Sequence, residues 1–198
     1  MATEIELKAH VNDVDKILSS IRNTLGISQE CFQEKKDIYL MNEIDKPVVR
    51  CRLEKKGLDK NNLKASLLIT VKNKELSGKI EENNEFEIDS DAHNFETSIE
   101  LFKALGYRET LLKEKTGYSF MLDKYQFPLH VEVLEVKPLG WFLEIEFSIK
   151  EQLSVFGVSA LKDDLLDALA LFGISQDKIE GKFYRDLLNQ ARLKTKGN

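Results

Sequence analysis

The chain has 198 residues, 42% hydrophobic and 32% charged, which is enough apolar content for a sizeable core beneath a charge-rich surface or around a charge-rich interior. Its 29 basic and 34 acidic side chains leave a net charge of −5, so no basic excess is available for general binding to nucleic-acid phosphates, although a local basic site remains compatible with that balance. Two cysteines, Cys31 and Cys51, are too few for a disulfide scaffold, there is no His/Cys cluster with zinc spacing, and neither a signal-peptide pattern nor a membrane-length apolar run is present, which points to a cytoplasmic protein with reduced thiols and no membrane partner.

Residues 3–10, TEIELKAH, alternate and predict a strand. Asn12 is placed to cap a helix through VDKILSSIRNTL, with Gly26 just past its end. CFQEKKDIYLM, PVVRCRLEK, ASLLITVKN and NEFEID predict short strands. KKGLDKNN and NKELSGKIEEN between them read as loops or hairpin ends. A second helix is expected over about 91–105, closed by Gly106, then strands in ETLLKEKTGYSFML, FPLHVEVLEV and GWFLEIEFSI. SALKDDLLDALALF predicts a helix ending at Gly173, and QDKIEGKFYRDLLNQARL a last one interrupted near Gly181, before a frayed tail. With three prolines and no linker composition, residues 1–198 read as a single α+β domain with a core over about 3–188. Short links between the seven or eight strands predict mostly antiparallel pairing. TLGISQECFQEKKDIYLM and ALGYRETLLKEKTGYSFM form a faint internal echo.

The informative pattern is charge at every second position. Glu4, Glu6 and Lys8 alternate with Ile5 and Leu7. Arg50 and Arg52 flank Cys51, Thr70 and Lys72 flank Val71, Glu85 and Glu87 flank Phe86, Lys113 and Lys115 flank Glu114, and Glu144 and Glu146 flank Ile145. Residues two apart on a strand share a face. An antiparallel sheet with one solvated face gives such alternation too. Here, however, acids and bases are sorted by strand, and the amphipathic helices need an apolar sheet face to cover. If they cover that face, the charged face can curl inward as the lining of a barrel. Carboxylates suit Mg²⁺ or Mn²⁺, and Arg and Lys suit phosphate oxygens, so such a lining suits a polyphosphate with its metal.

The ordered motifs resemble those of the CYTH superfamily, the triphosphate tunnel metalloenzymes, which include class IV adenylyl cyclases, thiamine triphosphatases and inorganic triphosphatases. EIELK resembles the E-x-E-x-K signature, KKDIYL the second-strand motif (especially that of class IV cyclases), and VVRCR the R-x-R strand. LLITVK, NEFE, LLKEK, PLGWFLEIE and FYRDLL resemble the later motifs in order, covering about 3–188. The resemblance implies an eight-stranded antiparallel β-barrel, a triphosphate tunnel, with helices packed outside. It implies Mg²⁺ or Mn²⁺ on Glu4, Glu6 and Glu146, with Glu144 as a further metal ligand. It implies phosphate contacts from Lys8, Arg50, Arg52, Lys72, Lys113 and Lys115, with Glu85 and Glu87 as lining acids. Asn83 and Leu134 depart from the pattern, standing where relatives often carry a base and an Asp, and Glu132 has the parity to replace the missing acid.

The resulting expectation is a divalent-metal-dependent enzyme that hydrolyses a triphosphate, inorganic or organic, with Lys8 in its neutral form or a second metal helping to activate water. The alternatives are a class IV adenylyl cyclase converting ATP to cyclic AMP and pyrophosphate, and a non-catalytic polyphosphate- or nucleotide-binding module. A homodimer stays open, since nothing in the sequence marks an interface.

Overall fold

The computed structural model describes residues 2–42, 48–149 and 155–196, apart from the side chains at 2, 72–77, 84, 155–156 and 195–196. The elements run β1 (Ala2–His10), α1 (Val14–Arg22), β2 (Ile27–Met41), β3 (Val49–Gly57), β4 (Lys64–Ser77), β5 (Ile80–Asp91), α2 (Phe95–Ala104), β6 (Arg108–Leu122), β7 (Leu129–Lys137), β8 (Gly140–Ile149), α3 (Val155–Leu171) and α4 (Tyr184–Lys196). Short 3-10 turns precede α2 and follow α3, at Ala92–Asn94 and Gln176–Lys178.

The eight strands close into a barrel in the order β1-β5-β4-β3-β2-β6-β7-β8. Every neighbouring pair is antiparallel, so the expected α+β barrel is what forms. Most apolar positions of the strands point outward, into two clusters shared with the helices. One cluster joins Ile5 and Leu7 of β1, Phe120 and Leu122 of β6, Val131 and Val133 of β7 and Leu143, Ile145 and Phe147 of β8 to Ile17, Leu18 and Ile21 of α1 and Leu161, Leu165 and Leu169 of α3. A smaller cluster joins Ile38 and Leu40 of β2, Val49 and Cys51 of β3 and Leu67 of β4 to Phe95 and Ile99 of α2. The hydrophobic driving force for folding therefore acts between the barrel and its helices, and the barrel interior is left polar. Cys51 is fully buried beneath α2, and burial raises its thiol pKa to about 11, which makes it an inert packing residue.

Several boundaries depart from the sequence reading. The cap of α1 is Asp13, whose side chain accepts from the Lys16 amide, rather than Asn12. The predicted loop over 73–83 is instead the far end of the β4–β5 hairpin, which pairs from Ser77↔Ile80 onward and turns at Gly78 with φ 69°. The last predicted helix is two pieces: a 3-10 turn, then a bridge of Ile179 to Ala9, then α4. The first turn of α4 carries Tyr184 into the end of the barrel against Val136 and Phe142, so this helix is not wholly outside the barrel. The two echoing segments become β2 and β6, which pair with each other over most of their length, each preceded by a positive-φ glycine, Gly26 and Gly106.

Candidate active site

Inside the barrel is a cavity of about 470 Å³. Strand order sets its electrostatics. Glu4 and Glu6 on β1 and Glu146 on β8 come from adjacent strands. β3, β2 and β6, also adjacent, carry Arg50 and Arg52, Lys35, and Lys113 and Lys115. In a ring of eight strands β1 lies four positions from β2, and β8 four from β3, so an acidic wall faces a basic one.

On the acidic wall, Glu4, Glu6 and Glu146 each offer an oxygen within 4.8 Å of the others. Glu4 and Glu6 are buried, and three convergent hard oxygens in a partly enclosed site fit Mg²⁺ or Mn²⁺. His130 on β7 bonds Glu146 through Nδ1 at 2.9 Å, which orients that carboxylate. Burial alone would lower the His130 pKa, but the hydrogen bond to Glu146 and the charge of Glu132 raise it overall. Glu144, expected as a further metal ligand, does not join the three. It accepts from Lys115 Nζ at 2.6 and 2.7 Å and from the Tyr184 hydroxyl at 2.8 Å. Glu132, with the parity to replace the missing acid, lines the cavity and is held by Lys35 and Gln33. Leu134 is fully buried.

On the basic wall, Arg52 grips Asp37 with two bonds, Nε to Oδ1 at 2.7 Å and Nη2 to Oδ2 at 3.0 Å. Lys113 adds a contact to the same carboxylate at 3.0 Å and donates to the Tyr39 hydroxyl at 2.8 Å. Asp37 is fully buried; burial opposes its ionisation, yet Arg52 and Lys113 hold its pKa well below the usual carboxylate range. Burial depresses the Lys113 and Lys115 ammonium groups to about 8 each, against the opposing pull of Asp37 and Glu144 respectively. Arg50 donates to Thr70 at 2.9 Å and lies 3.6 Å from both Glu85 and Glu87. Its buried Nε has no hydrogen-bond partner among the described residues. Lys72 sits on β4 opposite Glu85, but its side chain lies outside the described residues.

Lys8 points into the barrel, where it pairs with Glu81 and packs against the rings of Phe183 and Tyr184, two residues that line the cavity. Its Nζ is thus engaged by a carboxylate. Lys35, Asp37, Gln33, Glu54, Glu81 and Arg185 are among the interior or cavity-lining residues that the sequence reading did not assign to the site. For Glu81 a signal existed: the Glu85 and Glu87 alternation continues backwards through Asn83 to Glu81.

No protein-family model matches the chain, and no curated protein matches it by sequence. Its fold is similar to that of solved structures over nearly the whole chain. The PH1819 protein of Pyrococcus horikoshii OT3 aligns with a TM-score of 0.72 at 22% identity, covering 95% of this chain and 99% of that one. A candidate adenylate cyclase from Vibrio parahaemolyticus aligns at 0.67 and 16%, covering 94% and 97%. HpAC1 from Hippeastrum, a candidate adenylyl cyclase described as having a dominant triphosphatase activity, aligns at 0.59 and 14%, covering 92% and 91%. The barrel seen here is thus shared with proteins named for cyclase and triphosphatase activity, in agreement with the CYTH resemblance of the motifs.

Proposed function

We propose that the chain is a divalent-metal-dependent enzyme that hydrolyses a triphosphate group. One observation carries this reading: three carboxylates converge on one wall of a closed barrel and share a cavity of about 470 Å³ with Arg50, Arg52, Lys113 and Lys115. A polyphosphate with a bound cation has the matching polarity, because its metal side meets the acids and its free oxygens meet the bases.

Glu4, Glu6 and Glu146 would hold the cation, which supplies Lewis-acid polarisation of a phosphoryl oxygen when bound. The other side chains position and neutralise. Arg50 has a donor to give at once, its unmatched Nε. Arg52 and Lys113 are already engaged by Asp37, which holds both in place for an incoming anion. Lys115 is held by Glu144 and Tyr184 in the same manner, ready for charge developing on the leaving phosphate. Partial enclosure by the barrel lowers the effective dielectric around the buried members of the set and strengthens their contacts.

A cyclase uses the same grip but attacks with the ribose hydroxyl, and the KKDIYL likeness favours that second reading. Phosphorus NMR with tripolyphosphate, ATP and Mn²⁺ separates the two. Orthophosphate and pyrophosphate formed at the expense of tripolyphosphate support the hydrolase. Pyrophosphate with cyclic AMP replaces it with the cyclase. Binding without turnover, no different in Glu6→Ala, leaves the non-catalytic module.

A further inference from the structure

The metal reading leaves one buried group on the acidic wall unexplained. Asn83 on β5 pairs in register with Glu4, so its side chain enters the barrel beside the two β1 carboxylates. It is 1% exposed. Its Nδ2 lies 3.5 Å from Glu6 Oε2, while its Oδ1 is buried and has no hydrogen-bond partner among the described residues. Exchanging the amide nitrogen and oxygen does not remove the problem, since it would set the oxygen against a carboxylate oxygen and leave the NH₂ group unmatched. Buried carbonyl oxygens without a donor are rare in folded proteins, and one standing next to a carboxylate cluster has a chemical match in a cation.

Resting on the proposed metal site, we infer that Asn83 supplies a fourth, neutral oxygen to the cation held by Glu4, Glu6 and Glu146. Its amide has two tasks: the NH₂ group steadies Glu6, and the oxygen extends an all-oxygen donor set of the kind that Mg²⁺ and Mn²⁺ take. A neutral ligand at this point adds coordination without adding to the repulsion among three carboxylates. It also keeps the site free of nitrogen and sulfur donors, which disfavours softer metals.

The test is a titration of the whole purified chain with Mn²⁺ alone, reading free ion by electron paramagnetic resonance, with no substrate and no turnover involved. Wild type is compared with Glu6→Ala, Asn83→Leu and Asn83→Asp, each checked by a thermal melt. Glu6→Ala should abolish tight binding, Asn83→Leu should weaken it by roughly tenfold or more, and Asn83→Asp, which keeps the oxygen and adds charge, should bind at least as tightly as wild type. If Glu6→Ala loses binding while Asn83→Leu stays within about twofold of wild type, Asn83 is no ligand and the metal site stands without it. If Glu6→Ala binds like wild type, the metal site itself is wrong and the inference goes with it. Should Asn83→Leu fail to fold, Asn83→Asp decides, since weaker Mn²⁺ binding in that near-isosteric variant overturns the assignment.

Discussion

Asp37→Asn tests the logic of the basic wall. Asp37 is fully buried, with Arg52 at 2.7 and 3.0 Å and Lys113 at 3.0 Å. At 3.0 Å and an effective dielectric of about 20, each of the two ion pairs is worth about 5.5 kcal/mol of gross attraction. The desolvation of the buried charges offsets several kcal/mol of that sum. Removing one partner of such a pair leaves the others buried and uncompensated, at a net cost of about 3–5 kcal/mol. Asn keeps the shape and one acceptor, and Lys113, already depressed to about 8, can shed its proton, so the low end of about 3 kcal/mol is expected. For a chain of this length that lowers the melting temperature by roughly 6–12 °C. The same change takes away the carboxylate that holds Arg52 and Lys113 in place for an incoming anion, so the variant should bind tripolyphosphate more weakly than wild type and gain less melting temperature in its presence. The acid limb also carries a sign. The Asp37 pKa is depressed in the folded state, so its stabilisation is complete above about 3.8 and is lost as pH falls below that; Asp37→Asn should flatten the limb. The assay is differential scanning fluorimetry from pH 3 to 8, with and without tripolyphosphate. A melting temperature within about 2 °C of wild type at pH 7, less than 1 kcal/mol, would refute the claim that Asp37 holds the two bases.

Three further outcomes are expected. Because the Lys113 pKa is depressed to about 8, its charge is lost as pH rises through that value, so tripolyphosphate affinity measured by calorimetry should fall between pH 7 and 9, and Lys113→Arg should flatten the fall. Tyr184→Phe removes the hydroxyl that Glu144 accepts at 2.8 Å; it should cost about 1–2 kcal/mol by denaturant titration and loosen Lys115, and an unchanged stability and KM would rule out that positioning role. Leu165→Ala, in the larger apolar cluster, should destabilise by about 2–5 kcal/mol while leaving Mn²⁺ affinity unchanged, because that packing lies outside the barrel wall.

Strand parity made most of the site legible. Glu4, Glu6, Glu146, Arg50, Arg52, Lys113 and Lys115 stand in strands whose other face is mainly apolar, and the structure places all of them around one cavity. Lys35 and Asp37 were opaque for a physical reason. Their strand carries Glu34 and Lys36 on the opposite face, so charge alternates with charge, and neither face declares itself. Only the register, which sets Asp37 between Arg52 and Lys113, tells inside from outside. The far β4–β5 hairpin was hidden likewise, because Asn, Lys and Glu on both faces resemble a loop. Glu144 shares its parity with Glu146, and parity cannot say which of two inward acids meets a metal and which meets a lysine. That depended on Tyr184, which arrives from 40 residues away.

The two apolar clusters also divide the barrel mechanically. β1, β7 and β8, which carry Glu4, Glu6 and Glu146, are clamped by α1 and α3 through the larger cluster, whereas β3 and β4 are backed only by α2 through the smaller one. Local opening is easiest where few buried apolar contacts resist it. Amide hydrogens of β3 and β4 should therefore exchange sooner than those of β1 and β8, and the barrel should breathe on the arginine side. The wall that fixes the carboxylates should then be the stiffer of the two, and the wall that presents Arg50 and Arg52 the one that yields first.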